Sequence, residues 1–191
     1  MTTLTRTFAL GAFAIALAGC ASHADEPAGM KGPMAMKGGM DMMGTMAVAT
    51  LTPTQGNQVR GMVMFHEMEG HLMVHVKLTG VKPEGEHGFH VHENGNCASP
   101  DGMSAGGHFN PDGKPHGSQA ADHHAGDMPA LKADANGVVD QKFMLMGPTV
   151  GSGPTSLVGH SVIVHAQPDD YTTQPTGNSG ARIACGVIRR S

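Results

Sequence analysis

The chain has 191 residues, with 12 Lys and Arg against 16 Asp and Glu, so its formal charge is −4 when histidine is neutral. This mild acidity argues against nucleic acid as a partner, because surfaces that bind nucleic acid are basic. Aromatic residues make up only 4% of the chain, so Val, Leu, Ile and Met must supply the core. The 13 histidines are of more interest, since imidazole is a common ligand of transition metals.

Residues 1–19 have the features of a signal peptide. Arg6 precedes an apolar segment, Phe8 to Ala18, that is well short of the ~20 residues needed to span a bilayer. The sequence ends in Leu-Ala-Gly-Cys, which resembles the lipobox of bacterial lipoproteins and implies a lipid on Cys20. The alternative is an ordinary secretory signal. We expect an exported protein of the periplasm or cell envelope, held at the outer membrane by this lipid anchor.

Residues 20–46 are predicted to form a flexible tether. The segment contains seven methionines between Met30 and Met46, spaced by Gly, Lys and Pro, and no periodic aliphatic residues. Thioethers are soft ligands that favour Cu(I). The methionines are therefore either copper ligands or part of a simple linker, in which they are incidental or scavenge oxidants.

From residue 47 to 191 the pattern changes to short β-strands. In HLMVHVKL, residues 71–78, apolar and polar side chains alternate, which is typical of a half-buried antiparallel strand. Similar runs recur downstream, and Asn136-Gly137 is a hairpin signal. No segment is convincingly amphipathic with a helical period. We therefore predict one all-β domain, a sandwich or barrel of about eight antiparallel strands with long metal-binding loops.

A metal site is predicted from the histidines of residues 87–127. His90 and His92 stand two apart in an apparent strand, so both imidazoles project from one face and can reach one ion. The segment that follows reads as a long loop and carries three more histidines and a carboxylate: His108, His116, His124 and Asp127. Three imidazoles with one carboxylate suit tetrahedral zinc, and a cluster of imidazoles alone suits Cu(II).

Six motifs occur in one order: GFHVHENGNC, SAGGHFNP, KPHG, HHAGD, GHSVIVHA and ARIACGVI. In this order they resemble the copper/zinc superoxide dismutase family, over roughly residues 46–191. The resemblance implies a Greek-key β-sandwich or barrel that converts superoxide to oxygen and hydrogen peroxide. It also implies two metal cofactors, copper and zinc. Monomer and homodimer both remain open.

The resemblance assigns a role to each motif residue. The implied copper ligands are His90, His92, His108 and His165, and the implied zinc ligands are His108, His116, His124 and Asp127. His108 thus bridges the metals. Among the remaining residues, Arg182 guides the anion, Asp169 (with Asp170 as its rival) links His90 to His116, and Cys97 pairs with Cys185. His123 is then a neighbour outside the ligand set.

A second hypothesis is a copper-binding or copper-delivery lipoprotein on the same fold. The methionine-rich tether and the exposed His71-Met73-His75 face favour it. An intact bridge, a zinc set and Arg182 favour the enzyme, because copper storage requires none of them. The short loop before Arg182, residues 171–180, carries no charge, which leaves the steering of superoxide undecided.

Overall fold

The computed structural model describes residues 45–191. The predicted signal peptide, the lipid on Cys20 and nearly all of the tether lie outside the described residues. Within them, β1 begins at Met46, one residue before the predicted start of the domain. No described helix is long and apolar enough to span a membrane.

The described chain is built from nine β-strands and one short 3₁₀ helix at Met103–Ala105. The strands are β1 (Met46–Pro53), β2 (Arg60–Met68), β3 (His71–Thr79), β4 (Glu86–His87), β5 (Phe89–His92), β6 (Leu131–Lys132), β7 (Val138–Leu145), β8 (Ser161–His165) and β9 (Arg182–Arg190). The count of nine is close to the predicted number of about eight, and it includes the two-residue strands β4 and β6, which form a ribbon of their own.

The other seven strands form one antiparallel sheet in the order β5-β8-β9-β1-β2-β3-β7. Three consecutive strands, β1 to β3, lie side by side, and the last strand, β9, returns beside the first. This is the spatial order of a Greek key. The all-β prediction is confirmed, and the sheet leaves β5, which carries two predicted ligands, at one edge.

Strand β3 shows why the sheet has a packed side and an open side. Its apolar residues Leu72, Val74, Val76 and Leu78 are at most 1% exposed, whereas His71, Met73 and His75 between them are only partly buried. Successive side chains of a strand point to opposite faces. The predicted alternation is therefore confirmed, and its apolar face packs in the central core with Phe65, Phe89 and Ile188.

The hairpin predicted at Asn136-Gly137 is wrong, although the turn itself exists. The amide of Gly137 donates to the carbonyl of Asp134 across 3.1 Å, and Gly137 has a φ of 71°. The strands on either side of the turn are not partners, because β6 pairs with β4 and β7 pairs with β3. Turn chemistry is local, whereas the choice of partner strand depends on the rest of the sheet.

Candidate metal centre

The edge strand β5 is extended by the long loop that follows it. His92 forms a β-bridge with His108, and His90 forms one with Asp127. The amide of Val91 donates to the carbonyl of Gly126 across 2.8 Å. A Cβ at Gly126 would overlap the carbonyl of Val91, so only glycine permits this close approach. The edge of β5 that faces away from β8 thus aligns the loop. Two ligands from the loop therefore lie beside two ligands from the strand.

One cluster consists of four histidines. His90, His92, His108 and His165 each offer a ring nitrogen, and these four atoms all lie within 4.8 Å of one another. His165 ends β8, next to β5 in the sheet, and its Nε2 lies 3.4 Å from Nε2 of His92. The predicted copper ligands therefore converge from two adjacent strands and one loop.

The second cluster surrounds one oxygen of Asp127. Its Oδ1 lies 2.9 Å from Nδ1 of His108, 3.0 Å from Nδ1 of His116 and 3.4 Å from Nδ1 of His124. Zinc ligands at about 2.0–2.1 Å in a tetrahedron are separated by roughly 3.3 Å. The observed separations from Oδ1 are close to this value. The donor atoms around Asp127 that all lie within 4.8 Å of one another are, however, those of His90, His108, His116 and Asp127, and His124 is not among them.

Four of these histidines leave a buried ring nitrogen without a hydrogen-bond partner: His90 Nδ1, His108 Nε2, His116 Nδ1 and His124 Nδ1. A buried polar atom without a partner is costly, and such atoms need an explanation. All four face one of the two clusters, so metal ions in both clusters would satisfy them. The residues present therefore fit copper and zinc on the geometry of their donors.

Hydrogen bonds orient the ligand rings from outside the clusters. Asp169 accepts from Nε2 of His90 across 2.6 Å and from Nε2 of His116 across 2.9 Å, and its side chain is fully buried. The neighbouring Asp170 is exposed and accepts instead from the amides and hydroxyls of Thr172 and Thr173. Geometry thus places Asp169, rather than Asp170, between a histidine of each cluster.

Arg182 reaches the four-histidine cluster from the start of β9. Its Nη1 donates to the carbonyl of Gly102 across 2.8 Å and its Nη2 to the carbonyl of Gly106 across 2.6 Å. His92 donates from Nδ1 to the same Gly106 carbonyl across 2.9 Å. An open cleft of about 700 Å³ is lined by His92, His165 and Arg182. The cleft gives a small solute access to the cluster beside a cation.

The two cysteines of the described chain form a disulfide. Cys97 in the loop and Cys185 in β9 are bonded, with their Cα atoms 5.7 Å apart. This confirms the predicted pairing. The bond ties the loop that contains Gly102 and Gly106 to the strand that carries Arg182.

Comparison with known proteins agrees with this geometry. A family model described as copper/zinc superoxide dismutase (SODC) matches residues 59–188. The chain belongs to the copper/zinc superoxide dismutase family. Membership confirms the predicted enzyme class and its two metal cofactors, copper and zinc.

Two curated relatives and one solved structure illustrate the match. The Superoxide dismutase-like protein YojM of Bacillus subtilis is 42% identical over 122 residues, which are 61% of this chain and 62% of the relative. Superoxide dismutase (Cu-Zn) 2 of Aquifex aeolicus is 39% identical over 148 residues, 75% of this chain and 86% of the relative. The crystal structure of a double mutant of a SOD-like protein from Bacillus subtilis is 40% identical, with a TM-score of 0.67 over 73% of this chain and 94% of that one.

Burial sets the protonation of the metal-free histidines in this superoxide dismutase family member. It lowers the pKa of His90 to about 4 and that of His165 to about 3. Burial acts in the same direction on His116, but the adjacent carboxylates of Asp127 and Asp169 prevail and raise its pKa to about 9. His90 and His165 are therefore neutral at pH 7, the form that binds a metal. His116 must release a proton when zinc binds.

Two positioning groups were missed by the sequence analysis. Gln174 clamps the backbone of His116, because its Oε1 accepts from the His116 amide and its Nε2 donates to the His116 carbonyl, both across 2.8 Å. The carbonyl of Gly106, described above, holds both His92 and Arg182. A main-chain carbonyl carries no sequence signal, and the glutamine lies 58 residues from its partner.

Two other histidines outside the ligand set are accounted for by hydrogen bonds. His87 is 2% exposed and donates from Nδ1 to the carbonyl of His165 across 2.8 Å. His123 donates from Nδ1 to the carbonyl of Ala121 across 2.7 Å. His87 therefore supports the strand end that carries a predicted copper ligand.

Proposed function

We propose that this protein dismutes superoxide to oxygen and hydrogen peroxide at copper held by His90, His92, His108 and His165. A zinc ion beside it would be held by His108, His116, His124 and Asp127. The observation that carries the proposal is the set of buried ring nitrogens that face the two clusters without partners.

The bridging role falls to His108 because of its two nitrogens. Nδ1 of His108 lies 2.9 Å from Asp127 Oδ1 in the zinc cluster, while its Nε2 is unpartnered in the copper cluster. His90 also lies within 4.8 Å of Asp127 and His116. However, the Nε2 of His90 is already bonded to Asp169, so it has one nitrogen left. Only His108 has a nitrogen for each ion.

Bound copper would supply one-electron redox chemistry, whereas zinc is redox-inert. The chain would supply positioning and protons. Reduction of superoxide to hydrogen peroxide consumes two protons, and Nε2 of His108 can hold one whenever it does not ligate copper. This proton would lie near the cleft, while the zinc side keeps the ring in place through Nδ1.

Arg182 is the cation that we assign to anion guidance. Its guanidinium is permanently charged and lines the cleft together with His92 and His165. Two backbone carbonyls hold it in position. Because the loop of residues 171–180 has no charged side chain, a local positive charge at Arg182 must attract superoxide in this mildly acidic protein.

The test is superoxide turnover by the full chain after reconstitution with copper and zinc. We expect turnover in the wild type and a loss of ~10²-fold or more in His108→Ala, the typical scale of a proton-transfer residue. His123→Ala is the matched control, because its ring lies outside both clusters. Circular dichroism checks that each variant is folded. Undiminished turnover in metal-loaded His108→Ala would refute the bridge assignment.

A second candidate is copper binding and delivery on the same fold. The observation that favours it is the methionine- and histidine-bearing outer side of β2 and β3, which includes Met64, His66, Met73 and His75. The same reconstitution separates the two functions. A delivery protein would take up copper, release it to an acceptor and show no turnover of superoxide.

For location, we propose export to the cell envelope and attachment to the outer membrane through a lipid on Cys20. The support is the sequence of residues 1–20 alone, since these residues lie outside the described structure. Replacement of Cys20 by Ala should move the protein from the membrane fraction to the soluble fraction. An unchanged distribution would indicate another means of attachment.

A further inference from the structure

The outer side of the sheet carries methionine where other proteins place polar residues. Among the described residues, every large hydrophobic side chain that is exposed is a methionine: Met46, Met62, Met68, Met103, Met144 and Met146. The aliphatic and phenylalanine side chains are instead collected in the core, which contains a single methionine, Met128. A surface adapted for hydrophobic docking would also be expected to expose leucine, isoleucine or phenylalanine. The restriction of exposed hydrophobic residues to methionine therefore suggests that the thioether sulfur itself has a role.

Four of the outward side chains lie in one row across four strands. Met46 of β1 is the cross-strand partner of His66 in β2. His66 is also the partner of Met73 in β3, and Met73 is the partner of Met144 in β7. All four stand at outward positions, because the residues that alternate with them, such as Ala47, Phe65 and Leu72, are fully buried. We call Met46, His66, Met73 and Met144 the outer-face row.

The spacing of the outer-face row is short enough for shared coordination. Side chains directly opposite on antiparallel strands have Cβ atoms about 4.5–5.5 Å apart. A methionine has three rotatable bonds beyond its backbone, so the sulfurs of Met46 and Met73 can both approach the imidazole of His66 between them. Met144 can supply a further sulfur from the other side of Met73.

The imidazole at the centre of this row is available. His75, on the same face, is engaged with Asp140 through its Nε2 at 2.6 Å. His71 is engaged with the carbonyl of Glu69 through its Nδ1 at 3.1 Å. Among the hydrogen bonds formed by residues 45–191, none involves the ring of His66. An unengaged imidazole between thioethers is thus a ready ligand.

The donor set selects one kind of ion. Thioether and imidazole are soft to borderline ligands, and thioether favours Cu(I) over zinc. The row contains no carboxylate. Two acidic side chains of the strands that carry the row are engaged elsewhere: Asp140 is held by His75 and Lys77, and Glu67 accepts from the amide of Val150.

We propose that the outer-face row binds one Cu(I) ion through the sulfurs of Met46 and Met73 and the imidazole of His66, with Met144 as an additional ligand. The site is separate from the two predicted metal clusters, since none of its residues belongs to either of them. It does not rest on the proposed enzymatic function. An accessory site of this kind would hold copper at the protein surface in the reduced state.

The experiment uses the full chain with both central metals loaded, reduced with ascorbate under anaerobic conditions. Additional Cu(I) is titrated in competition with a chromogenic Cu(I) chelator, for the wild type, Met73→Leu, His66→Gln and the control Met62→Leu. Met62 is a good control because it is exposed on the same strand face as His66, and its cross-strand partners are Thr50 and Lys77. Leucine conserves volume and removes only the sulfur.

We expect Met73→Leu and His66→Gln to weaken binding of one Cu(I) equivalent by ~10-fold or more, since even residues that only support metal ligands contribute 10–100-fold to affinity. Met62→Leu should match the wild type, and Zn(II) should not displace the ion. Because the tether methionines are present in all four proteins, any Cu(I) that they take cancels in the comparison.

Spectra of protein labelled with ¹³C at the methionine methyl groups give an independent readout. Cu(I) is diamagnetic, so the signals of Met46, Met73 and Met144 should shift on titration while that of Met62 stays in place. Equal Cu(I) affinity in the wild type and both row variants would overturn the proposal. Shifts confined to methionines outside the row would also overturn it, and the exposed thioethers would then be explained by reaction with oxidants. A change of oligomeric state in the row variants without loss of copper would overturn it as well.

Discussion

Removal of the disulfide between Cys97 and Cys185 should test how the loop is held against the sheet. The bond closes a loop with a sequence separation of 88 residues. In the chain-entropy model, a cross-link of this span removes about 15 cal/mol/K from the unfolded ensemble, or about 4.6 kcal/mol at 25 °C. Total stabilities of small domains are only about 5–15 kcal/mol. The metal-free double serine variant should therefore be barely stable.

The assay is urea unfolding of metal-free protein, followed by circular dichroism. All samples carry Cys20→Ser so that no third thiol can exchange. With a slope of about 2 kcal/mol/M, the midpoint of Cys97→Ser/Cys185→Ser should lie about 2.3 M lower than that of the oxidised parent. The parent reduced with dithiothreitol is the matched control, because it lacks the bond without a change of side chain.

Two results would contradict this reasoning. A double variant within about 1 kcal/mol of the oxidised parent would show that the denatured chain is already restrained, so that closing the loop contributes little. A double variant much less stable than the reduced parent would show that the buried hydroxyl at position 185, a site that is 3% exposed, causes the loss instead of the chain entropy.

The remaining predictions concern the metal centre. Asp169→Asn keeps the size of the side chain but replaces the carboxylate, which accepts hydrogen bonds from two histidine rings, by a neutral amide with one acceptor oxygen. We therefore expect it to weaken zinc and copper binding by ~10–100-fold in chelator competition. Gly177→Ala should also weaken metal binding, because the added Cβ would overlap Oδ1 of Asp169. Normal metal affinity in both variants would show that Asp169 does not support the ligands. Arg182→Ile should lower kcat/KM and flatten its dependence on ionic strength, since charge attraction is screened over about 10 Å at 0.1 M salt. The exposed Arg190 at the far end of β9 serves as control, and an equal effect of Arg190→Ile would indicate a general charge effect.

The sequence determined those features that depend on residue type and on local alternation. The two-residue period of β3 predicts which side chains are buried, because successive side chains of a strand face opposite ways. The same period places His90 and His92 on one face of β5. The resemblance of the six ordered motifs was sufficient to name the family, and the types of ligand residue agree with copper and zinc.

The tertiary structure decided which distant groups meet. It pairs Asp127 with the edge of β5, selects Asp169 over Asp170 and clamps His116 with Gln174. All three features depend on contacts between segments far apart in the chain. The outer-face row is of the same kind. Each strand shows its own outward methionine or histidine in the sequence, but the register that aligns them across four strands is a property of the folded sheet.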